Sequence, residues 1–116
     1  MKIYYISRMG KTETLAKNVS SEAIKIEDFS LLVNEPFIIL TYTDGNGVLP
    51  KGLKEFLDNN KAFLKGVVST GSLARHAETY CFAADIISKD YNVPTILKVD
   101  GAGTNEDVEI IKEFLQ

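Results

Sequence analysis

The chain predicts an α/β fold, a doubly wound parallel sheet with helices on both faces. Apolar runs alternate with amphipathic stretches along the whole length. Several runs lack polar alternation, as strands covered on both faces require. Helix-like segments separate successive strands, so the crossovers return parallel and right-handed. At 116 residues the chain has room for one domain, 1–116, with a real core.

Each element has a local reason. Ile3–Ile6 reads as the first strand and Thr12–Val19 as the first helix; Ala23–Ile26 is a weaker second strand. Phe37–Tyr42 is apolar almost throughout and predicts a fully covered third strand. Pro50–Asn59 predicts the second helix, with Pro50 in a first turn where its missing N–H costs nothing. Gly66–Ser69 and Thr95–Val99 are the fourth and fifth strands. Between them Ala77–Lys89 carries Ala83, Ala84, Ile86 and Ile87, a strongly apolar helix and hence a buried one. In the last helix, Thr104–Leu115, Val108, Ile111 and Leu115 share a face, and Thr104 with Asp107 resembles a capping box.

Composition excludes several function classes. The chain is 45% hydrophobic and 25% charged with a net charge of −3, so nothing global recruits nucleic acid or an anionic membrane. No apolar segment reaches the length of a membrane span, and Met1-Lys2 leads straight into a strand-like run, which predicts a cytoplasmic protein. The single Cys81 excludes an internal disulfide, a redox pair and a zinc cluster. It reads as a small buried hydrophobe, and its coexistence with the single His76 as accidental.

In such a sheet the ligand crevice lies beyond the carboxyl ends of the strands. The segments there are Ser7–Lys11, Thr41–Leu49 and Thr70–Ala77, all rich in Gly, Ser, Thr or Asn. Gly10-Lys11-Thr12 ends like a nucleoside-triphosphate loop, but the glycine needed five residues before Gly10 is Tyr5. A dinucleotide site needs Gly-x-Gly-x-x-Gly, and only Gly10 is present. A receiver domain needs bunched acids for Mg²⁺ where this chain has Ser7 and Arg8, and Asp44 alone is insufficient. Flavin mononucleotide (FMN) needs less: one hydroxyl-and-glycine loop at a helix N-terminus for the phosphate, and two loops flanking the ring.

The segments Pro36-Phe-Ile-Ile-Leu-Thr-Tyr-Thr-Asp-Gly-Asn-Gly47, Leu64-Lys-Gly-Val-Val-Ser-Thr-Gly71, Ala84–Pro94 and Gly103-Thr-Asn-Glu-Asp-Val108 resemble the NrdI family over nearly the whole chain. The resemblance implies a flavodoxin-like sheet of strand order 2-1-3-4-5 binding FMN. It also implies a partner, the small subunit of class Ib ribonucleotide reductase, whose dimanganese site receives an oxidant from the flavin and forms a tyrosyl radical. Carried over by position, Ser7, Arg8, Met9, Gly10, Lys11 and Thr12 form the phosphate loop. Thr43, Asp44, Gly45, Asn46 and Gly47 lie on one side of the ring. Thr70, Gly71, Ser72 and His76 lie on the other, with Glu78 near that loop's end. Arg75 and His76 are candidate cations for tuning the flavin.

Departures from the family pattern fall in the same loops. Met9 stands where a Thr is common, Asn46 where an aromatic often lies between the glycines, and Gly71-Ser-Leu-Ala-Arg-His-Ala77 replaces a shorter loop. Structural readings stand beside the functional ones: Thr43 as a strand-end cap, Gly45 and Gly47 as turn glycines, Glu78 as a first-turn helix residue. The alternative function is a flavodoxin-like protein-binding module with weakened or lost flavin binding.

Overall fold

The computed structural model describes residues 1–45 and 47–116. Its strands are β1 (Lys2–Tyr5), β2 (Ile24–Lys25), β3 (Phe37–Tyr42), β4 (Leu64–Gly71) and β5 (Thr95–Asp100). Its helices are α1 (Lys11–Val19), α2 (Leu53–Asn60), α3 (Phe82–Tyr91) and α4 (Asn105–Leu115). The strands form one five-stranded sheet in the order β2-β1-β3-β4-β5, every pair parallel. The parallel sheet is the one that the sequence predicts, and its strand order the one that the resemblance implies.

Alternation along the strands divides the core into two layers. Ile3, Tyr5, Ile38, Leu40, Val68 and Val99 face one way and pack with Leu15, Ala16 and Val19 of α1 and with Val108 and Ile111 of α4. Tyr4, Phe37, Ile39 and Val67 face the other way and pack with Leu53, Phe56 and Leu57 of α2 and with Ala84 and Ile87 of α3. Phe37, Ile38, Ile39 and Leu40 are fully buried, which is why this strand shows no polar alternation. Each such side chain contributes about 1.5–3 kcal/mol through burial. On the α2–α3 face, Tyr4 meets Phe37 edge-on at 5.4 Å between ring centroids.

Two helix starts differ from the sequence reading. Pro50 lies ahead of α2 rather than inside it, and its carbonyl accepts the Leu53 N–H at 3.1 Å. The chain turns at Gly52, with φ 90°, and a Cβ there would lie 2.5 Å from the Phe29 ring. Only glycine satisfies both demands. The expected Ala77–Lys89 helix is divided into a single 3-10 turn, Ala77–Thr79, and α3. Cys81 separates them at φ 55°, left-handed backbone that no helix continues through. The far end runs past Lys89 to Tyr91, where Asn92, at φ 54°, closes it. The α4 cap forms as expected: the Thr104 hydroxyl accepts the Asp107 N–H at 3.2 Å, and the Asp107 carboxylate accepts the Thr104 N–H at 2.9 Å.

A buried amide holds the long β2–β3 connection. Asn60, at the end of α2, is 2% exposed; its Oδ1 accepts the Val33 N–H at 2.6 Å. Its Nδ2 donates to Leu31 O at 2.9 Å and to Phe56 O at 2.8 Å. Asn60→Leu keeps similar volume but orphans these backbone groups, each unsatisfied group costing about 1–3 kcal/mol. We expect urea unfolding of that variant to show a stability loss of about 2–4 kcal/mol. An unchanged midpoint would mean that water satisfies these groups.

Candidate functional site

The register of the central strands sets the site. β1, β3 and β4 run parallel as neighbours, so the loops that follow them leave the same edge of the sheet. The first of these loops ends at Gly10, the residue before α1, with φ 91° and open space where a Cβ would project. The Gly10 N–H donates to the Ser7 hydroxyl at 3.1 Å, and Gly10 O accepts the Thr14 N–H and hydroxyl, both at 2.9 Å. This pinned turn presents the first turn of α1, where amides have no intrahelical acceptor and the helix dipole favours an anion. Behind it Thr12, 2% exposed, shares a 2.7 Å hydroxyl–hydroxyl hydrogen bond with Thr70 at the end of β4.

The second loop folds on itself. Asp44 and Val48 form an antiparallel bridge, with Asp44 N donating to Val48 O at 2.8 Å and Val48 N to Asp44 O at 3.0 Å. Gly47 passes under the Phe82 ring, where a Cβ would lie 2.6 Å from a ring carbon. The Thr43 hydroxyl accepts the Ala83 N–H at 3.0 Å and so caps the start of α3 from another loop. The third loop is held by Ser72, whose Oγ accepts the Arg75 N–H at 3.2 Å and whose carbonyl accepts the His76 N–H at 2.8 Å. Asp100 at the end of β5 accepts the Leu73 N–H at 3.2 Å.

Two adjoining cavities occupy the space between these loops. The larger, about 430 Å³, is bordered by Ser7, Arg8, Met9, Lys11 and Thr12 on one side and by Thr70, Gly71, Ser72, Arg75 and His76 on the other. Tyr42, Thr43 and Gly101 complete it. The smaller, about 180 Å³, shares Arg8, Thr43, Gly71, Ser72 and His76 and adds Asp44 and Gly45. Its far wall is Thr79, Tyr80 and Cys81. Most of the residues selected from sequence are therefore brought together. Gly10 shapes the turn without lining either cavity, Gly47 lies beneath Phe82, and Glu78 is exposed on the 3-10 turn. Asn46 lies outside the described residues. Met9 is 81% exposed at the lip of the larger cavity.

Sequence reasoning did not select Tyr42 and Gly101 of the larger cavity or Thr79, Tyr80 and Cys81 of the smaller. Tyr42 and Gly101 carried a usable signal: Tyr42 ends β3, and Gly101 follows β5, a strand whose carboxyl end was not counted among the crevice loops.

The charge pattern is one-sided. Arg8, Lys11, Arg75 and His76 border the larger cavity and, among the described residues, no carboxylate does, although the whole chain is net negative. Arg8 pairs with Asp44 at 2.7 Å and lies 5.2 Å from the Tyr42 ring centroid. Burial, with Asp44 nearby, raises the Tyr42 phenol above its ordinary range, so this ring stays neutral. Tyr80 is pushed up to about 12, first by burial and then by Cys81 and the acids Asp100 and Asp107.

Comparison with known proteins matches this geometry. The model of the family described as NrdI flavodoxin-like matches residues 3–113. The chain belongs to that family. Protein NrdI of Ruegeria sp. (strain TM1040) is 34% identical over 114 residues, covering 91% of this chain and 81% of that protein. Among solved structures, a short-chain flavodoxin associated with a non-canonical PDU bacterial microcompartment superposes with a TM-score of 0.76 at 18% identity. That match covers 97% of this chain and 91% of the other. Flavodoxin 1 from Bacillus cereus gives 0.69 at 23% identity over the same shares of the two chains. Both structures share the fold of this chain.

Cys81 borders the smaller cavity yet is 1% exposed, and its thiol donates to Ser69 O at 3.2 Å. Burial raises its pKa, partly offset by hydrogen bonds involving Val99, Tyr80 and Ser69. The folded thiol therefore keeps its proton where the unfolded one, near about 8.5, loses it. Its contribution to stability is full below that pH and declines as pH rises toward the folded value. We expect an aromatic disulfide reagent at pH 8 to label the native protein at least about tenfold more slowly than the urea-unfolded chain. Equal rates would show an accessible thiolate.

Proposed function

We propose that the crevice binds FMN and that the chain is an electron-transfer protein supporting assembly of the dimanganese-tyrosyl radical cofactor of class Ib ribonucleotide reductase. The observation that carries the cofactor is the coincidence of a pinned helix N-terminus with a cavity bordered by cations and, among the described residues, by no carboxylate. The volume fits as well, since small-molecule sites run from about 300 to 1,000 Å³. Family membership supports the partner, the small subunit of that reductase, and with it a cytoplasmic setting for a single domain.

Bound there, the flavin supplies the redox chemistry, taking up and releasing electrons. The chain supplies the rest. Backbone amides at the start of α1 and the Ser7 hydroxyl hold the phosphate, with Lys11 adding charge. The Thr43–Gly45 and Gly71–Ser72 segments flank the ring, and Arg75 and His76 favour negative charge on it. A second reading, a protein-binding module with weakened flavin binding, draws on Met9: an exposed thioether stands where relatives commonly offer a hydroxyl.

Titration of FMN and riboflavin by fluorescence quenching tests the cofactor. Hydrogen bonds to a charged phosphate contribute about 1.5–3 kcal/mol, so FMN should bind roughly ten- to 150-fold more tightly than riboflavin. That margin should narrow with salt, because exposed charges are screened over about 8 Å at physiological ionic strength. Equal affinities would remove the loop as a phosphate cradle. For the partner, reduced protein, oxygen and manganese-loaded small subunit should yield a tyrosyl radical by electron paramagnetic resonance, and none without this chain. A radical yield independent of the chain would favour the module.

A further inference from the structure

Arg8 is the one side chain of the phosphate loop that lines both cavities, and its guanidinium crosses to the ring loop. There it donates to Asp44 Oδ1 at 2.7 Å and lies against the Tyr42 ring. Asp44 Oδ1 also accepts the Gly45 N–H at 2.9 Å, and the Asp44 backbone closes the bridge to Val48. The pair thus ties the two loops between which a ligand must enter. It is also weak: the side chains of Arg8 and Asp44 are 58% and 34% exposed, and ion pairs this open to water are readily exchanged. A phosphate offers a guanidinium more negative charge and more acceptor oxygens than one carboxylate does.

We infer that Arg8 and Asp44 form a latch that ligand phosphate competes for: the phosphate takes Arg8 from Asp44, and the same exchange frees the ring loop. Arg8 then reads the phosphate, and Asp44 sets the threshold that an anion must exceed. This rests on the FMN reading for the identity of the ligand but not for the exchange itself. Lys11 and Arg75, bordering the larger cavity, add attraction for the anion without a carboxylate partner among the described ion pairs.

The test is a double-substitution cycle with Asp44→Asn and Arg8→Gln, read by FMN affinity. Asp44→Asn keeps an acceptor for Gly45 and should tighten FMN binding about two- to fivefold, the strength typical of an exposed pair. Arg8→Gln should weaken FMN and flatten its salt dependence. In the Arg8→Gln background, Asp44→Asn should give no gain. A gain that persists there would come from removing a negative charge near an anion, and would overturn the latch. Inorganic phosphate provides an arm independent of flavin. It should shift the Arg8 Nε–Hε resonance, half-saturating at about two- to fivefold lower concentration in Asp44→Asn. An Arg8 signal that ignores phosphate in both proteins would overturn the latch. A response to phosphate in a protein that binds neither FMN nor riboflavin would uphold the latch and defeat the FMN reading.

Discussion

The parallel pairing of β3 with both β1 and β4 is the constraint on which the crevice depends. It runs from Lys2 beside Phe37 to Tyr5 beside Leu40 on one side, and as far as Tyr42 beside Thr70 on the other. A shift of one residue would invert which side chains face α1 and which face α2, so burial on both faces fixes the register. With it fixed, Ser7, Thr43 and Ser72 emerge at one sheet edge. The crevice is in this sense a by-product of core packing. Its walls are then secured by short polar ties, the hydroxyl pair Thr12–Thr70 and the Thr43 cap on Ala83.

These ties give hydroxyl residues at the site a structural duty alongside any toward ligand. Thr12 is buried and spends its hydroxyl on β4. Thr43 spends its own on the first turn of α3, which has no side-chain cap of its own. Groups on the rim remain for recognition: the α1 amides, Arg8, Lys11, Arg75 and His76. An acidic chain has gathered cations around one cavity, and that local field, more than the net charge, decides what the crevice attracts.

Most of the fold was legible because its signals are local or periodic. The apolar run Phe37–Tyr42 announced a covered strand, and Thr104 with Asp107 announced a cap that needs only residues three apart. What escaped depends on partners distant in sequence. The break at Cys81 is set by a thiol turned toward Ser69 and by the Ala83 N–H donating to the Thr43 hydroxyl, while the local composition around Ala83 and Ile87 argues for uninterrupted helix. Asn60 looks like an ordinary helix end until Leu31 and Val33 are beside it. The three loops that border the crevice were legible through their position at the strand ends. The Arg8–Asp44 pair, 36 residues apart, had no sequence signal.

We propose that a phosphate-bearing flavin sits with its phosphate on the first turn of α1 and its ring between the β3 and β4 loops. Backbone amide chemical shifts during an FMN titration test this placement. The largest changes should fall at Gly10, Lys11 and Thr12 for the phosphate, and at Thr43, Gly45, Gly71 and Ser72 for the ring. Riboflavin should reproduce the second set without the first. Changes confined to another surface, or an α1 turn that responds equally to both flavins, would contradict the account.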